Sequence, residues 1–221
     1  MTLAHHEPTP TYTLDTHHAA WTGHAGKVRA AEAARDYNQD ALTSLVWGYL
    51  YERNTNTSPH TVRAYALGVR QYVTWAHEIG VTLLRPDKNT GTRYRAHLQA
   101  NMGPGSANTR LTAARALYAA LDWVEVTSVN PFRGVKRVKD PRPVEQVRDQ
   151  YPPVTVALML KHATDTLDQL IVFLGAGAGA RASEMASLDW DSVNLDDGTA
   201  RVVGKGGKPG TLYLTAETVE L

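Results

Sequence analysis

The sequence predicts a mainly α-helical protein with a small β-hairpin portion near its carboxyl end. Three observations carry this. Residues 30–130 repeat apolar side chains at helical spacing between recognisable start and stop signals. Two short β-type stretches, near residues 200–203 and 211–214, flank Gly204-Lys205-Gly206-Gly207-Lys208-Pro209-Gly210, a hairpin-tip composition. A basic run with two prolines and no periodicity, residues 134–143, separates the two regions.

In chain order, residues 1–29 hold Pro8, Pro10, His5-His6, His17-His18 and His24 without an apolar period, and are expected to form a flexible His-rich tail. Histidines on a tail lack the fixed geometry of a metal site, so no metal is expected. Residues 29–51 read as a helix, with Leu42, Leu45, Val46 and Tyr49 at i, i+3, i+4, i+7. Residues 54–57 break it. Ser58 then suits an N-cap and Pro59 the first helical position. Val62, Tyr65, Ala66, Val69, Tyr72, Val73 and Ala76 follow at helical spacing, with Arg63, Arg70 and Thr74 on the other face and Gly80 as the stop.

A third helix is expected over residues 92–100. Gly103-Pro104-Gly105 reads as a turn and Ser106 as the cap of a fourth helix. The stripe of that helix is Leu111, Ala114, Leu117, Tyr118 and Leu121; Asn108, Thr112 and Arg115 share a different face. Asn130-Pro131-Phe132 closes a helical domain over residues 30–133. Residues 134–152 are expected to be a linker and 153–221 a second domain. This second domain should have helices over 154–164 and 168–174, a glycine-rich interruption at 175–179, a short helix over 182–188, and then the hairpin.

Composition excludes several function classes. There is no cysteine, which removes disulfides and thiolate metal sites and fits a cytoplasmic protein. No apolar run approaches the ~20 residues of a membrane span. The polar start is not a secretory signal. The net charge of +1 conceals a division: residues 1–140 carry 16 Lys/Arg against 11 Asp/Glu, and residues 141–221 carry 7 against 11. The basic part points to a polyanionic partner. Gly175-Ala176-Gly177-Ala178-Gly179 looks like part of a dinucleotide loop, but no strand precedes it and no long helix follows, so no nucleotide cofactor is expected.

The stretch from Gly179 to Leu214 is the most specific signal. Gly179, Arg181, Ser183, Glu184, Leu188, Trp190 and Asp191, followed by Gly204, Lys205, Gly206 and Lys208, match in order the first catalytic block of the tyrosine site-specific DNA recombinases, the phage integrase and Xer-like family. Ser58-Pro59-His60-Thr61-Val62-Arg63-Ala64-Tyr65 resembles the family's opening helix. Residues 106–118 resemble a later helix, and Asn130-Pro131 with Val135-Lys136-Arg137 the exit from the helical domain. The resemblance covers about residues 40–215. It implies an all-helical SAM-like core-binding domain followed by the amino-terminal part of an α+β catalytic domain. It also implies double-stranded DNA as partner, cleaved and rejoined through a 3′-phosphotyrosyl intermediate, with no metal or organic cofactor; self-association on DNA stays open.

The chemistry suits the residues. In-line attack on a phosphodiester builds negative charge on the non-bridging oxygens, which a bidentate, permanently charged guanidinium stabilises. By resemblance that residue is Arg181. The leaving 5′-oxygen needs a proton, and Lys205 on the hairpin is the implied general acid; Lys208 more plausibly meets a phosphate. Arg63, Arg70, Asn108, Arg115, Lys136, Arg137 and Lys139 are the other candidate DNA contacts. The family also needs a His-x-x-Arg, a further His or Trp and the tyrosine downstream of the hairpin. His60-x-x-Arg63 lies upstream and is rejected as that motif, and Tyr213 is expected to pack within a strand. The expectation is a polypeptide truncated before the second half of its catalytic domain, which binds DNA without cutting it. The alternatives are a naturally short protein that occupies recombinase sites, and a relative of type IB topoisomerases.

Overall fold

The computed structural model describes residues 14–53, 57–143, 151–204 and 207–221. The chain forms two compact units, residues 1–141 and 142–221. Among the described residues, no helix is long and apolar enough to cross a membrane.

The first unit is helical: α1 (Leu14–Ala20), α2 (Gly23–Arg35), α3 (Gln39–Arg53), α4 (Pro59–Glu78), α5 (Thr90–Asn101) and α6 (Pro104–Trp123). Ser58 caps α4, its hydroxyl accepting from Thr61 N–H at 3.2 Å with Pro59 in the first turn. The predicted apolar face of α4 is buried at Val62, Ala66, Val69, Tyr72, Val73 and Ala76. It packs on α6 and α3 around Leu42, Leu45, Leu111, Leu117 and Leu121. At the centre, Tyr72 meets Tyr94, Tyr118 and Phe132 edge-on at centroid distances of 4.9, 5.9 and 5.4 Å, and the Tyr72 and Tyr118 hydroxyls share a hydrogen bond of 2.9 Å. Phe132, expected only to mark a boundary, is a core residue.

Three expectations need correction. The single helix over 29–51 is two, because Tyr37 takes a left-handed conformation (φ 51°) and Asn38 Oδ1 accepts from Ala41 N–H at 3.0 Å to start α3. The fourth helix begins at Pro104, not at Ser106, with Gly103 as N-cap. Residues 14–29 are not a tail. Trp21 is 3% exposed and its indole donates to Ser44 Oγ at 3.1 Å. His17 Nδ1 lies 2.7 Å from the same Ser44 oxygen, and His18 Nε2 lies 2.5 Å from Glu52 Oε2. His17 and His18 therefore act as half-buried packing side chains against α3. Residues 1–13 lie outside the described residues.

The second unit has α7 (Pro153–His162), α8 (Thr166–Val172) running into a π-helical turn (Phe173–Gly177), α9 (Ala182–Ala186) and a 3-10 turn (Trp190–Ser192). A three-stranded antiparallel sheet follows, ordered β1 (Val193–Asn194), β2 (Thr199–Val203) and β3 (Pro209–Tyr213), and then α10 (Ala216–Glu220). The hairpin register pairs Ala200 with Leu212 and Val203 with Pro209. Ala200, Val202 and Leu212 form its small core. Strand β1 and helix α10 carry no sequence signal long enough to detect. Tyr213 was expected to pack; it is 75% exposed, because the strand alternation that turns Leu212 inward turns Tyr213 out.

Candidate functional site

In the first unit the candidate site lies along α6 and the segment that follows it. Residues 135–140 form no helix or strand, yet they are fixed to α6. Asn108 Nδ2 donates to the Val138 carbonyl at 2.9 Å, and Val138 N–H donates to Asn108 Oδ1 at 2.9 Å. Arg115 Nη2 donates to the Val135 carbonyl. Val138 is buried. The start of α5 abuts the same stretch: a Cβ on Gly91 would fall 2.2 Å from the Pro131 carbonyl oxygen, so only glycine fits. The first part of the expected linker is thus a strap on the helical unit.

The strap exposes Arg133, Lys136, Arg137 and Lys139, and among the described residues none of the four has an ion-pair partner. Arg63 on α4 is likewise exposed and unpaired among those residues. Arg70 Nη2 pairs with Asp40 Oδ1 at 3.0 Å, with both side chains about half or more exposed. Such a pair contributes roughly 0–1 kcal/mol and yields readily to a competing anion. Asn108 and Arg115, two of the candidate DNA contacts, are tied to the strap: the Asn108 amide bonds both backbone groups of Val138, and Arg115 Nη2 bonds the Val135 carbonyl.

In the second unit, Gly179 adopts a left-handed conformation (φ 67°), and Ala180 N–H closes back onto Leu174 O at 2.9 Å. The chain thereby delivers Arg181, in extended conformation, as N-cap of α9. Glu184, one turn on, receives Arg181 N–H on Oε2 at 2.9 Å and Arg181 Nη1 on Oε1 at 2.6 Å. The Glu184 side chain is 4% exposed and that of Arg181 71%. The carboxylate is the fixed end, and the rest of the guanidinium fork faces solvent. The Arg181 backbone N–H, then its guanidinium, hold the Glu184 carboxyl below the usual carboxylate range.

The neck of the hairpin reaches the same carboxylate. A Cβ built on Gly204 would stand 3.6 Å from Glu184 Oε1. Gly204 N–H donates to Lys208 O at 2.7 Å, which closes the neck. Lys208 is exposed. Lys205, the residue after Gly204, lies outside the described residues. Nearby, Arg201 Nη2 donates to Asp191 O at 2.9 Å and ties β2 to the 3-10 turn. Glu184 was part of the matched motif but had no role assigned. Its carboxylate makes the glutamate half of a capping box by accepting the Arg181 N–H, whereas the donor-only Arg181 side chain returns no cap, so the usual sequence signature is absent. Among the described residues no cluster of three or more His, Cys, Asp or Glu is arranged to hold a metal.

Residues 48–124 match the family model described as phage integrase, N-terminal SAM-like domain. The chain is 29% identical over 174 residues to tyrosine recombinase XerC of Xanthomonas campestris pv. campestris, covering 76% of this chain and 54% of that protein. It is 33% identical over 154 residues to tyrosine recombinase XerA of Thermococcus kodakarensis, covering 68% of this chain and 49% of that protein. The chain therefore spans about half the length of the curated relatives it matches. Among solved structures, an integrase from mycobacterium phage Brujita aligns over 83% of this chain and 61% of its own, at 22% identity and a TM-score of 0.38.

Proposed function

The chain is a member of the tyrosine recombinase family, and on that premise we propose that it binds double-stranded DNA and contributes two groups to strand cleavage and rejoining at a specific site. The first unit holds duplex through Arg63, Arg70 and the strap cations Lys136, Arg137 and Lys139, with Lys208 as a further phosphate contact on the second unit. Arg181 pairs with the non-bridging oxygens of the scissile phosphate, where charge builds in the transition state. Lys205 delivers a proton to the leaving 5′-oxygen.

The observation that carries this reading is the Glu184 carboxylate. It grips Arg181 at 2.6 Å and lies against the hairpin neck at Gly204, so the residue next to Lys205 and the guanidinium flank one buried anchor. That arrangement supports a common phosphate for two residues 24 positions apart in the sequence.

The test is single-turnover cleavage by a chain that carries this segment together with a nucleophilic tyrosine. Arg181→Ala should cost on the order of 10²-fold in rate, about 3 kcal/mol, whether the leaving group is a 5′-oxygen or a 5′-thiol. Lys205→Ala should cost a similar factor on oxygen and nearly nothing on the thiol, because a thiolate departs without a proton. A thiol that restores neither variant, or restores Arg181→Ala, removes Lys205 from the general-acid role and leaves Lys208 to be tested.

A further inference from the structure

Residues 133–139 read Arg-Gly-Val-Lys-Arg-Val-Lys. A run of this composition without helix or strand would ordinarily sample many conformations, and ordering it on a ligand would cost about 1–2 kcal/mol per residue in backbone entropy. Here it is already ordered. The Asn108 amide takes both backbone groups of Val138, each at 2.9 Å, so one side chain supplies a full rung of a β-ladder. Arg115 holds the Val135 carbonyl.

The spacing of the two anchors agrees with an extended strap. Asn108 and Arg115 are seven residues apart on α6, about 10.5 Å along its axis. Val135 and Val138 are three residues apart, about 10 Å in an extended chain. Asn108 pairs with the later valine and Arg115 with the earlier, so the strap runs along α6 in the opposite direction. The two valines are the residues held at the helix, while Lys136, Arg137 and Lys139 remain exposed.

We infer that Asn108 and Arg115 are positioning residues: they preset the strap so that its cations meet a DNA phosphate backbone already in place, and they do so without touching DNA themselves. This rests on the DNA-binding reading above and assigns to two polar side chains of α6 a role that affects affinity indirectly. Preorganisation of this kind raises affinity by removing the ordering cost from the binding step.

The test uses the full 221-residue chain with two readouts. The first is equilibrium binding of a fluorescent duplex by anisotropy, as a double-mutant cycle. Asn108→Ala should weaken binding by about 5- to 10-fold in the parent chain and by less than about 2-fold when Lys136, Arg137 and Lys139 are all Gln, because coupled residues are not additive. The second needs no DNA. Trypsin cleaves after Lys and Arg, and a strap pinned at Val135 and Val138 resists it; Asn108→Ala should speed cleavage at residues 136–139 by about 10-fold or more, as local opening replaces the pinned state. Arg115→Met keeps the aliphatic stem and removes the bond to Val135. It should reproduce both effects and stands in if Asn108→Ala fails to fold. A full loss of affinity that persists in the Gln background means Asn108 touches the duplex directly and overturns the proposal, as does unchanged protection from trypsin in both variants. Absence of duplex binding by the parent chain overturns the functional reading, and this role with it, whereas the trypsin readout still reports whether the strap is pinned.

Discussion

Tyr72 and Tyr118 show what a buried polar pair costs and contributes in this core. Burial, reinforced for Tyr72 by Tyr118 itself, drives the Tyr72 phenol far above its ordinary range, and burial does the same to Tyr118. Each hydroxyl has the other as partner at 2.9 Å. Tyr72→Phe strands the Tyr118 hydroxyl and should destabilise the first unit by about 1–3 kcal/mol. The double variant with Tyr118→Phe should recover much of that loss, because no unpaired group is left. Urea unfolding of the two single variants and the double variant checks this, and a double variant that adds both single costs contradicts it. At Glu184 the same scale governs acid sensitivity. Its folded pKa lies below the ordinary glutamate range, so its contacts with Arg181 contribute stability that is complete above that range and is lost as pH falls through the lower, folded value. Glu184→Gln should remove this part of the acid dependence, and thermal unfolding of parent and variant between about pH 3 and 7 would show it. Parallel pH profiles for the two proteins would contradict the assignment.

At the scale of elements, legibility followed how local each determinant is. Helix α4 was readable because its cap, its first-turn proline and seven apolar positions all lie within the segment. The break between α2 and α3 was not, since it depends on a left-handed tyrosine, a conformation rare for a bulky side chain. Helix α1 was misread because its determinants are distant: Trp21 and His17 meet at Ser44, and His18 meets Glu52 34 positions away. A polar, His-rich segment offers no periodic apolar face when its packing side chains are imidazoles. Trp21→Ala should therefore cost about 3–5 kcal/mol and release α1 from α3, a loss measurable by chemical unfolding and by limited proteolysis near residue 21. A cost under about 0.5 kcal/mol, the range of ordinary surface substitutions, would restore the tail reading.

Across the whole molecule, the sequence revealed which face of α6 is polar and which motif holds Arg181, but not what covers that face. Periodicity places Asn108 and Arg115 together; only tertiary structure shows that residues 135–138 lie over them. In the second unit the hairpin was readable from its tip composition. An exposed apolar surface on this part was also an expectation; its location on α7 and α8, at Val154, Leu158, Met159, Leu167 and Ile171, comes from the structure. The charge division between the two parts of the chain acquires a physical location: much of the positive excess sits on the strap and on α4, facing solvent. Phosphate neutralisation there releases condensed counterions, each contact contributing about 0.9 to the slope of log affinity against log salt. The measurement that tests the account most directly is a salt titration of duplex binding by the 221-residue chain and by its Lys136→Glu, Arg137→Glu, Lys139→Glu variant. The account predicts a slope magnitude of about 3 or more for the parent, and for the variant a loss of affinity on all sequences alike with a slope reduced by about 2–3. Binding that ignores salt, or that survives the triple reversal, would contradict it.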